Sequence, residues 1–216
     1  MSQSMTLSRV HFPVTSLGPG QRLGIWFQGC SIQCPGCIST DTWSNHAEHV
    51  AVADVLEAVA EYARLADGVT ISGGEPFEQP EALGELLLGL AVLRRPGSDV
   101  LVYSGLPYGL LVPWLDRWHG LIDAVISEPF DVTAPQTRPL MGSDNQTLHM
   151  LTDLGRARFS AFDRPRDTQD DRIDLMVDET GTAWMAGIPR RGDLERLQAH
   201  IFGRGITTRT TEQVTR

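Results

Sequence analysis

The chain alternates short apolar runs with longer amphipathic ones. Residues 22–28 (RLGIWFQ) mix aliphatic and aromatic side chains and run into Gly29, the pattern of a buried strand. Over 53–66, Leu56, Val59, Ala60 and Ala63 fall on one helical face, with Asp54, Glu57, Glu61 and Arg64 elsewhere. Residues 68–72 (GVTIS) read as a short strand ending at Gly73-Gly74, and after Pro80 the segment 81–94 repeats a leucine-rich helical pattern. The alternation continues with a strand over 99–103 (DVLVY), closed by Ser104-Gly105. A helix follows over 107–118 and another strand over 121–126 (LIDAVI). Repeated strand–helix units predict an α/β fold built on a parallel sheet.

In such sheets the ligand site lies at the carboxyl ends of the strands, and Cys30, Gly73, Gly105 and Ser127 each fall just beyond one. From 156 to 172 the chain turns charged and proline-containing, the composition of an exposed connection. A hairpin is expected over 173–188, with Asp178 to Gly181 as its turn, and a final helix over 193–202. The expected organisation is a core of residues 1–155 and a C-terminal appendage, 156–216, of linker, hairpin and helix.

Composition narrows the function classes. With 216 residues, 41% of them apolar, the chain can bury a sizeable core. A net charge of -9 without any Lys/Arg cluster argues against a nucleic-acid or membrane-surface partner. Residues 1–8 are polar, and no apolar run approaches the roughly 20 residues of a membrane span, so a cytoplasmic protein is expected. All three cysteines fall between positions 30 and 37, an arrangement suited to a reduced metal centre rather than to a disulfide framework.

Cys30-x3-Cys34-x2-Cys37 offers three thiolates on one short loop, enough to hold three irons of a cubane and leave the fourth open to a ligand. The same thiolates suit structural zinc, with His46 or His49 completing a tetrahedral set. About forty residues on, Ser72-Gly73-Gly74-Glu75-Pro76 follows a strand. Gly-Gly there allows close approach to the backbone, and Glu75 can receive an ammonium group, although such a sequence alone is commonly just a turn. The cysteine triplet and this motif, in this order and both at strand ends, favour a joint cofactor site.

With these two motifs the chain resembles the radical SAM superfamily. More closely it is similar to the activating proteins of anaerobic ribonucleotide reductase. That likeness runs through Gly18-Pro19-Gly20-x-Arg22, Gln28-Gly29-Cys30, Cys34-Pro35-Gly36-Cys37, Ser72-Gly-Gly-Glu-Pro-Phe77 and Gly142-Ser143-x-Asn145-Gln146, about two-thirds of the chain. The resemblance implies a partial (β/α) barrel, a [4Fe–4S] cluster on Cys30, Cys34 and Cys37, and S-adenosylmethionine bound at the open iron. Gly73, Gly74 and Glu75 would hold its amino group, and Tyr103 and Gly105, in a Tyr-Ser-Gly stretch like the activators' Tyr-Thr-Gly, would pass near its nucleoside. It further implies reductive cleavage to a 5′-deoxyadenosyl radical that activates a glycyl radical enzyme, with a flavodoxin or ferredoxin as electron donor. Two alternatives stand beside this: direct modification of a peptide or small metabolite, and a non-catalytic iron–sulfur protein. No residue is assigned a catalytic role. Trp26 and Trp43 bracket the cysteine loop and could shield it. Two departures stand out: Glu128 occupies a position where the activators carry glycine, and the tail beyond Arg156 has no counterpart in the short activators, which suggests a lid or partner-binding element.

Overall fold

The structure is a computed structural model that describes residues 2–44, 48–177, 179 and 181–205. Its elements, in chain order, begin with β1 (Ser4–Val14), β2 (Arg22–Phe27), β3 (His49–Ala51), α1 (Val52–Leu65), β4 (Gly68–Gly73) and α2 (Pro80–Leu93). Then come β5 (Asp99–Tyr103), α3 (Tyr108–Arg117), β6 (Ala124–Ser127), β7 (Thr147–Met150) and α4 (Asp153–Phe159). Last come β8 (Ile173–Val177), β9 (Ala183–Gly187) and α5 (Asp193–Phe202).

A seven-stranded sheet in the order β3-β1-β2-β4-β5-β6-β7 forms the centre, and β8 and β9 make a separate hairpin. The four strands β2, β4, β5 and β6 are parallel, and the crossovers between them run through α1, α2 and α3. This is the α/β arrangement the alternation predicts. The flanks differ from an all-parallel sheet: β1 is antiparallel to β2, β3 to β1, and β7 to β6. Strand β1 hides in the sequence because Ser4, Thr6, Arg9 and His11 interleave with Met5, Leu7, Val10 and Phe12, the mixed pattern of a half-buried antiparallel strand. Strand β7 is short and carries Thr147 and His149.

Strand alternation gives the sheet two faces. One packs Ile25, Val69, Ile71, Val100, Val102 and Val125 against Val55 and Val59 of α1, Leu83, Leu86 and Leu90 of α2, and Leu111 of α3. The other presents Leu101, Ala124 and Ile126, covered by Phe159 of α4, together with Leu140 and Met141. Helix α4 begins on a Thr152 side chain that accepts from Gly155 N–H, so the charged stretch from 156 opens inside a helix, with Arg156 and Ala157 exposed. Phe159 is fully buried, a contribution of about 1.5–3 kcal/mol that the surrounding charges conceal in the sequence. The hairpin covers the remainder of this face, with Ala186, Met176 and Ile188 packed on Val14, Leu17, Trp26 and Tyr103. Its turn residues Asp178 and Thr180 lie outside the described residues, and no helix among those described is long and apolar enough to cross a membrane.

At the amino ends of the parallel strands Arg22 is fully buried. Its guanidinium grips Asp99 at 2.6 and 3.2 Å, and also donates to Thr70 Oγ1, Val69 O and Pro19 O. A Cβ on Gly68 would stand 2.3 Å from Arg22 Nη1, and one on Gly18 2.8 Å from Nε, so the glycines around Arg22 make room for its side chain. The Gly18-Pro19-Gly20-x-Arg22 motif is therefore a structural lock at the end of the sheet away from the cysteines. Asp99 also accepts from Arg158 Nε at 3.0 Å, which ties α4 to the same lock. Removing one partner of a buried pair strands the other charge, so Asp99→Ala is expected to cost about 3–5 kcal/mol in urea unfolding. A loss within the range of an ordinary surface substitution would contradict this role.

Candidate active site at the strand ends

The carboxyl ends of β2 and β4 meet backbone to backbone. The strands are in register through Phe27 and Gly73. Beyond them Gly74 N–H donates to Phe27 O and Glu75 N–H to Gly29 O, both at 2.8 Å. A Cβ on Gly73, whose φ is 105°, would lie 2.4 Å from Phe27 O, and one on Gly74 2.0 Å from Gly29 O. Only glycine fits either position. The close approach that Gly-Gly permits is here an approach of one strand end to another, and it carries Glu75 to the foot of the cysteine loop.

That loop leaves β2 and returns on a single 3-10 turn at Thr40–Thr42. Gly29 N–H donates to Thr42 O and Cys30 N–H to Trp43 O, while Gln28 Nε2 bonds the carbonyls of Asp41 and Ser44. Glu78, two residues beyond Pro76, accepts from the Ser31 N–H and hydroxyl. Cys30, Cys34 and Cys37 are free, partly buried thiols. Burial pushes the Cys30 thiol up, partly offset by the Gln33 and Ile32 N–H groups. It does the same to Cys37, where the Ser39 N–H and the Trp43 indole pull the other way.

Two observations bear on what this loop can hold. Among the described residues no three His, Cys, Asp or Glu side chains converge on a point where one metal ion could sit. Of the histidines offered for a zinc set, His49 lies in β3 with Nδ1 3.3 Å from Ser4 Oγ, and His46 is outside the described residues. The Trp43 indole N–H is buried without a partner in hydrogen-bond geometry, yet lies close enough to Cys37 to act on its thiol. A stranded donor beside a cysteine suits a sulfur-rich group, whose sulfurs accept hydrogen bonds.

Glu75 is 1% exposed. Its carboxylate accepts from Ser104 Oγ at 2.9 Å, Gly105 N–H at 2.7 Å and Phe77 N–H at 3.1 Å. Burial raises its pKa from 4.5 to about 7, against the pull of those three donors. A Cβ on Gly105 would meet Ile32 of the cysteine loop at 2.8 Å. The ends of β2, β4 and β5 thus converge on one buried carboxylate, which can take up a cation at the cost of one proton.

Comparison with known proteins agrees with this geometry. The model of the 4Fe-4S single cluster domain matches residues 16–149, more than half the chain. The chain belongs to that family. It is 28% identical over 150 residues to the anaerobic ribonucleoside-triphosphate reductase-activating protein of Escherichia coli K12, covering 65% of this chain and 96% of the relative. It is 26% identical over 140 residues to the corresponding protein of Enterobacteria phage T4, covering 63% and 88%. A pyruvate formate-lyase-activating enzyme of Clostridium pasteurianum is 34% identical over 92 residues, 38% of each chain. The chain is a radical SAM enzyme, with a [4Fe–4S] cluster and S-adenosylmethionine as the cofactors of its type.

Within that family the remaining sequence candidates separate. Gly105 reaches the site through its N–H. Tyr103, two residues earlier, turns to the other face, where its hydroxyl donates to Leu140 O at 3.1 Å and burial pushes its pKa up. Glu128 has a φ of 80°. It is held there by its own N–H on Leu106 O, by Gln146 Nε2 on its carbonyl, and by its carboxylate accepting from Tyr108 N–H at the start of α3. Its side chain thus caps a helix in a backbone conformation that suits glycine. Asn145 bonds Pro129 O, and Gln146 Oε1 accepts from Gly142 N–H, so this motif braces the 128–131 turn. Phe130 in that turn and Val132 just beyond it lie 3.4 and 3.2 Å from where a Gly36 Cβ would stand, which rests the turn on the cysteine loop. Glu78 and Phe130 are the site neighbours the sequence did not single out, because a lone acid or phenylalanine carries no spacing signal.

Glu75 gives a pH signature. Folded, it keeps its proton to about pH 7, whereas the unfolded chain releases it near 4.5. The unfolded state binds fewer protons through that interval, so the Glu75 contribution to stability falls as pH rises across it. In urea unfolding of the metal-free protein, wild-type stability relative to Glu75→Gln should fall across this window. A difference that stays flat would contradict the burial argument.

Proposed function

We propose that the chain holds a [4Fe–4S] cluster on Cys30, Cys34 and Cys37, binds S-adenosylmethionine at the open iron, and directs the resulting radical at a glycine of a partner enzyme. A reduced cluster held there would supply the one electron needed to cleave the sulfonium-to-C5′ bond to methionine and a 5′-deoxyadenosyl radical, which would take a hydrogen atom from the glycine. Glu75 receives the ammonium group of the cofactor's methionine part, in exchange for the proton its burial retains near neutral pH. The backbone of Gly73, Gly74 and Gly105 walls that pocket, and Ser104 orients the carboxylate. Tyr103 contributes from beneath, as packing under the nucleoside side. Trp43, whose indole N–H lies beside Cys37, would donate to a sulfur of the bound cluster and limit access to Cys37.

The observation that supports this most is the meeting at Glu75 of the cysteine-loop start, where the Gly29 carbonyl accepts the Glu75 N–H, and of Ser104 and Gly105, which donate to its buried carboxylate. In this reading residues 1–155 form the core, a half-open barrel, and 156–216 an added segment. The electron donor is a flavodoxin or ferredoxin, and the setting is cytoplasmic. A second reading, direct modification of a peptide or small metabolite, draws on that added segment, since residues beyond 149 fall outside the family match.

The iron-loaded, reduced protein should form 5′-deoxyadenosine from S-adenosylmethionine. Adding an anaerobic ribonucleotide reductase should give a glycyl radical doublet in its electron paramagnetic resonance spectrum, and Cys34→Ala should abolish both. Cleavage without a glycyl radical would favour the second reading, and an intact cluster that never cleaves the cofactor would sink the enzyme mechanism.

A further inference from the structure

The β8–β9 hairpin touches the core at a point the cofactor reading leaves unused. Arg9 of β1 lies between two indoles, its Cζ 4.6 Å from the Trp184 ring of β9 and 5.8 Å from the Trp26 ring of β2. Its Nη1 reaches Asp41 Oδ2 at 2.7 Å, with both side chains mostly buried, at 15% and 19% exposed. Asp41 belongs to the 3-10 turn on which the cysteine loop returns. The Asp41 carbonyl accepts from Gln28 Nε2, the Thr42 carbonyl from Gly29 N–H, and the Trp43 carbonyl from Cys30 N–H. Whatever fixes Asp41 therefore fixes the backbone that closes the loop.

We infer that Arg9 is a positioning residue for the cysteine loop and that Trp184 of the hairpin holds it in place, which makes the C-terminal segment a working part of the cluster site. The hairpin is anchored well enough for this. Asp174 accepts from the N–H and hydroxyl of both Thr15 and Ser16 at 2.6–3.0 Å, and Ser16 Oγ also donates to Ala186 O. Further along, Gln136 Nε2 and the buried Arg166 bond the carbonyls of Pro189 and Ile188. Trp184 offers Arg9 a ring face but no acceptor, so the contact orients the guanidinium without drawing it away from Asp41. Hairpin, Arg9, Asp41 and loop form one contiguous chain of contacts.

The inference rests on the cluster assignment only in its second test. Amide hydrogen exchange of the metal-free protein reads the loop directly. In Trp184→Ala, exchange at Gly29 and Cys30 should rise about three- to tenfold, the range expected for losing one partly buried cation–π contact, while β5 amides exchange as in wild type. Trp184→Phe should restore wild-type exchange, and Val177→Ala, on an exposed hairpin residue, should leave it unchanged. In the iron-loaded protein Trp184→Ala should lose its visible absorbance in air faster, by a similar factor, and broaden the paramagnetic resonance of the reduced cluster. Wild-type exchange at Gly29 and Cys30 in Trp184→Ala, a uniform rise that includes β5, or no rescue by phenylalanine would each overturn the inference. A wild-type protein that takes up no iron would count against the cofactor assignment alone, with the exchange result still deciding this one.

Discussion

Two backbone hydrogen bonds, Gly74 to Phe27 and Glu75 to Gly29, hold the end of β4 against the end of β2. Everything at the site depends on that contact. It is possible only because Gly73 and Gly74 lack a Cβ, which would otherwise stand 2.4 and 2.0 Å from the carbonyl oxygens of Phe27 and Gly29 at the neighbouring strand end. A methyl group at either position pushes the strands apart by more than a side-chain rotation can absorb. The consequence is a cysteine loop that starts from a fixed point and a carboxylate delivered beside it with its backbone already satisfied.

From that junction the rest of the site follows by short steps. Glu75 is buried because β5 comes alongside, and Ser104 and Gly105 supply donors where water is excluded. Burial without a counter-charge keeps a proton on the carboxyl group up to near neutral pH, and an incoming ammonium would replace that proton and stabilise the carboxylate. Burial likewise raises the Cys30 and Cys37 thiols, which favours their protonated form until a metal replaces the proton. At the opposite end of the sheet the Arg22–Asp99 lock and the buried Phe159 keep the strands in line. Stability and chemistry occupy opposite ends of the strands, as is usual for parallel α/β folds.

Much of this was legible in the sequence, for identifiable reasons. Strand β5 and helix α5 carry clean periodicity, and their limits agree with expectation at 99–103 and 193–202. The cysteine loop and the Gly-Gly-Glu turn are readable because close spacing of rare residue types is informative. Strand β1 escaped because a half-buried antiparallel strand mixes Arg9 and His11 with apolar residues, and α4 because one buried Phe159 sits among arginines. Tyr103 closes β5 with its hydroxyl on Leu140 O, whereas Gly105 lies beyond the strand end with its N–H on Glu75, a difference that no local pattern shows. Arg9, Trp184 and Glu128 act through contacts between segments distant in sequence, which no local pattern records.

The most direct measurement of the central claim is the Mössbauer spectrum of protein reconstituted with isotopically enriched iron, taken before and after adding S-adenosylmethionine. Three irons held by Cys30, Cys34 and Cys37 should keep their parameters, while a fourth, without a protein ligand, changes as the cofactor binds. A spectrum in which all irons respond alike, or in which none responds, would contradict a site built from three cysteines and one open position.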